Sequence, residues 1–150
     1  MGWINNGTDR ETVLAAAPEI ADKFDTFYAS LWRQSHVNGE VLELCRLRLA
    51  QLLRSSFDMQ RQDHPLPAHK RENVSKWNTD NAFSEADRAC LGLAEVYAMD
   101  PASITDEQAE AVKQHFGDKG FVVLLEALGV FDGMARMSLL WQLPASGDSK

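Results

Sequence analysis

Cysteine is scarce in this chain: Cys45 and Cys90 are the only two among 150 residues, and they do not form a Cys-x-x-Cys pair. Two are too few for a disulfide framework, so a small secreted scaffold is excluded. Long hydrophobic runs are missing too. The longest apolar stretch, Phe121 to Phe131, is interrupted by Glu126 and Gly129 and falls short of the ~20 residues that a membrane-spanning helix needs. The first residues carry no basic segment followed by an apolar one, so no secretory leader is expected and the expected location is cytoplasmic. Basic charge is in deficit, with 15 Lys+Arg against 22 Asp+Glu and a net charge of −7. The basic residues are scattered, so neither nucleic acid nor an anionic membrane is an expected partner. What is present is an ordinary globular balance, 45% hydrophobic and 25% charged, enough for a single core in one domain.

The spacing of apolar residues predicts helices throughout, with no hairpin signal to compete. Ile20, Phe24, Phe27 and Leu31 recur at four, three and four residues behind Pro18, a residue suited to a first helical turn. Asn38-Gly39 punctuates, and Val41, Cys45, Leu49 and Leu52 form the stripe of a second helix running to about Ser55. Pro65 and Pro67 force a break before a short helix from about Ala68 to Trp77. Ser84 and Asp87 form a near capping box for a helix ending at Asp100-Pro101, and Thr105-Asp-Glu-Gln108 opens another that stops at Gly117. A last helix is expected from about Lys119 to Gln142, apolar nearly all round in its first half as an internal bundle helix would be. The expected organisation is an N-terminal arm (1–17), one helical domain (18–143) and a polar tail (144–150). There are no solenoid repeats.

Several landmarks together resemble the AhpD-like, carboxymuconolactone decarboxylase family. The opening helix ends Tyr28-Ala-Ser-Leu-Trp-Arg33. The stretch Leu42-Glu-Leu-Cys-Arg-Leu-Arg-Leu-Ala-Gln-Leu52 is similar to the family's glutamate-bearing helix. Trp77-Asn-Thr-Asp-Asn-Ala-Phe-Ser84 with the helix to Glu95, then Ile104 to Gln108, His115-Phe116 and Arg136 follow in the family's order. The resemblance spans roughly residues 18 to 143 and implies an all-α fold, the AhpD-like orthogonal helical bundle. It also implies a homo-oligomer (dimer, trimer or hexamer), a small-molecule substrate and no cofactor.

The family's peroxidase branch carries a glutamate, twelve residues later the first cysteine of Cys-x-x-Cys, and a histidine four residues past the second. Carried over, Glu43 matches the glutamate, Ser55 and Asp58 stand in the cysteine positions, and Gln62 stands for the histidine. A hydroxyl and a carboxylate cannot run a thiol–disulfide cycle, so the usual alkylhydroperoxidase chemistry is argued against. The resemblance then implies acid/base chemistry, lyase-like if the protein is active, on a small carboxylated metabolite. The catalytic candidates are Glu43, Asp58 and His64, with Arg136, Ser55 and Gln62 around the substrate. The competing expectation is a catalytically silent oligomeric binding or scaffolding module with a degenerate active site.

Each candidate also has an ordinary structural reading. Glu43 can pair with Arg46 at i,i+3, and Arg136 with Asp132 at i,i+4. Asp58 can be a helix-start carboxylate, and His64 an exposed loop residue before Pro65. Cys45 and Cys90 sit on apolar stripes and read as buried core residues. Asp63, His64 and His69 lack a regular face and a fourth ligand, so no metal is expected. Glu126 is paired, solvent-facing or functional, because it would be costly to bury alone.

Overall fold

The computed structural model describes residues 3–145, so the end of the expected polar tail lies outside the described residues. Its regular structure is entirely helical, with no strand among the described residues. The helices are α1 (Arg10–Leu14), α2 (Pro18–Arg33), α3 (Gly39–Leu52), α4 (Ser56–Gln60), α5 (Ala68–Asn73), α6 (Glu85–Met99) and α7 (Asp106–Leu140), with short 3-10 turns at Val74–Lys76 and Pro101–Ser103. No described helix is long and apolar enough to cross a membrane.

Local chemistry sets most helix boundaries. Asn38 caps α3 through Val41 N–H, and Ser84 and Thr105 close reciprocal capping boxes at α6 and α7. At the expected stop, Gly117 has φ 70 and ψ −177, a conformation that glycine reaches without strain. The helix is broken and kinked at this residue, as expected, and helical geometry resumes on the far side, so that α7 consists of two segments. Three residues on, Gly120 lets α7 pass close to its neighbours, since a β-carbon there would sit 3.2 Å from the His36 carbonyl oxygen.

The centre of the bundle is α3, packed against α6 and α7. Leu42, Leu44, Cys45 and Leu49 are wholly buried, as are Cys90, Leu93, Leu124 and Leu128 from the two neighbours. Each such leucine stabilises the fold by roughly 1.5–3 kcal/mol relative to exposure. A helix surrounded on all sides must also bury its polar face, and α3 buries Glu43 and Arg46. On α2 the expected stripe is rotated. Leu31 is buried and Phe24 half-buried, but Ile20 and Phe27 are exposed, and Tyr28 and Trp32 turn inward instead. Their rings meet edge to face at 5.9 Å, and Trp32 also packs on Phe131 of α7.

Candidate functional site

Burying Glu43 without a partner would be prohibitive, and the sequence supplies one turn further along α3 the guanidinium that resolves it. Arg46 grips the carboxylate with two nitrogens, Nε to Oε2 at 2.8 Å and Nη2 to Oε1 at 2.7 Å. The Asp63 backbone N–H donates to Oε1 as well. Arg46 then ties down the chain beyond α3, donating to the carbonyls of Asp58 and Arg61 at 2.9 and 2.7 Å. Burial pulls the guanidinium towards losing its proton, but the Glu43 hydrogen bonds and charge outweigh that, and it is held above its ordinary value.

Asp63 carries this cluster outward. Arg46 Nε lies 3.7 Å from one carboxylate oxygen, and Arg61 donates to the other at 3.1 Å. The Tyr28 hydroxyl donates to Asp63 in a short hydrogen bond. Burial first, then the Asp63 charge and hydrogen bond, push the phenol well above its ordinary value, so it stays protonated. Tyr28 lines a cavity of about 380 Å³ between α1, α2 and α7, together with Arg10, Phe24, Arg61 and Met134.

A second cluster occupies the positions that the resemblance assigns to the two cysteines. Ser55 ends the turn after α3, where Arg54 takes a left-handed φ of 59, and caps α4. Its hydroxyl donates to Asp58 Oδ2 at 2.6 Å. The other Asp58 oxygen accepts from Arg10 Nη2 at 3.0 Å, and the same nitrogen donates to Ser138 Oγ and the Met134 carbonyl. All four residues are at most 4% exposed. Arg10 Nη1 is buried with no acceptor. The Arg10 and Arg61 guanidiniums both lie over the Phe57 ring, 5.7 and 5.8 Å from its centroid.

Glu43, Ser55 and Asp58 are thus brought together, joined through Arg46. The other three candidates are not gathered with them. His64 stacks on Trp32 at 5.9 Å, its ring pressed against Gly39, with Nδ1 3.0 Å from the Pro65 carbonyl oxygen. Gln62 is exposed, and Arg136 is exposed and pairs with Asp132 at 3.0 Å. Glu126 is solvent-facing. Cys45 and Cys90 are free and wholly buried, with burial raising Cys45 well above the ordinary thiol value and Cys90 to about 12. Among the described residues no three metal-ligating side chains cluster.

Sequence reasoning missed Arg10, Tyr28, Asp63 and Ser138 as members of the site. Asp9 caps α1 through Thr12 N–H, a signal legible in Asp-Arg-Glu-Thr, but nothing local to Arg10 reveals a partner 48 residues away.

No family model matches the chain, and no curated protein matches it. Solved structures do. One is a protein of unknown function from Agrobacterium tumefaciens, provisionally described as the antioxidant defence protein AhpD. It is 18% identical with a TM-score of 0.77, and the match covers 97% of this chain and 98% of that one. Another is a cysteine-to-alanine variant of the debrominase Bmp8 in complex with 2,3,4-tribromopyrrole, at 12% identity and TM-score 0.77, over 91% of this chain and 75% of that one. The chain therefore has the AhpD-like helical fold over nearly its whole length.

Proposed function

We propose that this chain is a member of the AhpD-like, carboxymuconolactone decarboxylase group without the redox cysteine pair, and that it performs acid/base, lyase-like chemistry on a small carboxylated metabolite. The observation that carries the reading is Tyr28 on the wall of an open cavity, hydrogen-bonded to Asp63, which Arg46 and Glu43 back in turn. A substrate atom at Tyr28 can exchange a proton with Asp63 through the phenol, while Arg46 and Arg61 offset the carboxylate charge. Glu43, with no exposed surface, acts as a positioning residue through Arg46 and the Asp63 backbone. In a decarboxylation the bond to the carboxylate breaks, CO₂ leaves, the electron pair remains on the substrate and a proton replaces the lost group.

The fold supports a ligand of this scale: its neighbour Bmp8 holds a tribrominated pyrrole. Antioxidant thiol chemistry finds no support, because Ser55 and Asp58 lack sulfur and both existing thiols are buried. A second reading, the silent binding module, is favoured by one observation. Both Glu43 and Asp58 are already held by arginines. Exposed Phe27, Leu139 and Leu140 would serve the homo-oligomer in either case.

The test is CO₂ release from a panel of carboxylated lactones and β-keto acids. Turnover should fall about 100-fold or more in Tyr28→Phe and Asp63→Asn, with folding retained. Turnover by no member of the panel would favour the silent module, and turnover indifferent to both substitutions would remove Tyr28 and Asp63 from the chemistry.

A further inference from the structure

Arg10 uses one terminal nitrogen fully and leaves the other idle. Nη2 serves Asp58, Ser138 and the Met134 carbonyl, whereas Nη1 is buried without an acceptor on a side chain 5% exposed. A charged donor without an acceptor inside a protein destabilises it unless a guest supplies one. Arg10 also borders two adjoining cavities, and the wall between them is shared by Leu14, Phe24 and Met134.

The two cavities differ in chemistry. The larger, about 380 Å³, brings Arg61 and Tyr28 beside Arg10 and lies within the usual range for small-molecule sites. Exposed Glu11, Asp22 and Asp25 lie around it. The smaller, about 110 Å³, is completed by Ile20, Met137 and Trp141, with no polar side chain but Arg10. It approaches the roughly 150 Å³ of an apolar cavity that accepts benzene. Ile20 and Met137 are partly exposed, so a guest has a way in.

Building on the small-molecule reading above, we infer that this double cavity binds an amphipathic monocarboxylic acid. The carboxylate is taken by Arg61 together with the idle Arg10 nitrogen, which is closed off in the free protein and is uncovered as the guanidinium turns toward the cavity, and a phenyl or short alkyl group enters the Met137–Trp141 cavity. The acidic surroundings select against a second carboxylate, which would meet Glu11, Asp22 or Asp25. The ligand class follows from the pairing of a buried cation with an apolar recess, and Arg10 of α1 becomes a specificity-determining residue.

Titration of the full chain with 3-phenylpropanoate, followed by tryptophan fluorescence and by Tm, tests this. Binding should saturate and raise Tm with ligand concentration. The neutral 3-phenylpropanamide should bind about 30-fold more weakly, as expected for losing one charge-assisted pair, and phenylsuccinate should also bind more weakly. Arg10→Lys keeps a cation for Asp58 but lacks the second nitrogen, and should abolish the preference for acid over amide. Met137→Trp fills the apolar recess from its exposed side and should block the phenyl probe, which keeps the test valid if Arg10→Lys does not fold. Equal affinity for acid and amide, or unchanged binding in Met137→Trp, overturns the inference. Phenylpropanoate binding without turnover of any acid sinks the catalytic reading alone. Turnover of substrates without an apolar group, and with no preference for one carboxylate, sinks this inference alone.

Discussion

Two buried carboxylates, Glu43 and Asp58, lie one helix apart and are both neutralised by arginine, but the arginines come from different distances. Arg46 is three residues from Glu43 on the same helix and holds it with two hydrogen bonds. Arg10 is 48 residues from Asp58, on a five-residue helix, and holds it with one. The first pair is assembled as soon as α3 forms. The second exists only if the N-terminal segment has already docked across α4 and α7. One is therefore part of the core and the other is a clasp, and the two should respond differently to being broken.

Arg46→Met should have the largest effect, a loss near the upper end of the roughly 3–5 kcal/mol seen when a buried pair loses one partner. It leaves Glu43 with the Asp63 N–H and with Arg71 3.8 Å away, and takes one of two donors from each of the Asp58 and Arg61 carbonyls. Urea denaturation measures it, and a loss below about 1 kcal/mol would dissolve the distinction between core and clasp. Asp58→Ala should cost less, about 3 kcal/mol, and its signature is local. Hydrogen exchange should accelerate through α1 while α3, α6 and α7 keep their protection. Uniform acceleration across the bundle would show that the clasp belongs to the core after all.

The thiols extend the comparison to buried groups with no ionic partner. Cys90 is raised from 9.0 to about 12 by burial first and then by the Asp87 charge, and Cys45 is raised in the same sense. Between pH 9 and 12 the unfolded chain releases thiol protons that the folded chain retains. Stability should therefore be intact below pH 9 and fall as pH rises through this window, by up to about 1.4 kcal/mol per pH unit for each thiol. Cys90→Ala should flatten the decline, and an unchanged slope in pH-dependent unfolding would count against it. Arg136→Ala marks the small end: its pair with Asp132 is exposed, and the change should be about 0.5 kcal/mol or less. A larger loss, or weakened phenylpropanoate binding, would return Arg136 to the site.

The same distinction between near and far explains what was legible in the sequence. The capping boxes at Ser84 and Thr105, the start of α2 at Pro18 and the glycine interruption at Gly117 depend on neighbours within four residues, and each stands where the pattern put it. The AhpD-like fold was legible from the order of such pieces. The face of α2 was not, because Tyr28 turns inward to reach Asp63, 35 residues away. The docking of α1 and the Arg10 clasp were invisible for the same reason, since a buried arginine looks like a surface arginine until its distant acceptors are known. Glu43 with Arg46 was visible as an i,i+3 pair, but that it sits wholly inside the bundle depends on the packing of α6 and α7 around α3.

The docking of Arg10 also constrains how this chain could change over generations. Restoring sulfur at the two positions that the resemblance assigns to it, Ser55→Cys and Asp58→Cys, would remove the one carboxylate that, among the described residues, pairs with the buried Arg10 guanidinium. The double change would pass through an intermediate with an uncompensated buried cation, the kind of defect that most readily unfolds a small domain. Arg10 has to be replaced before the cysteines can return. A third residue, outside the motif and far from it in sequence, thus acts as a ratchet that makes the departure from thiol chemistry easier to take than to reverse.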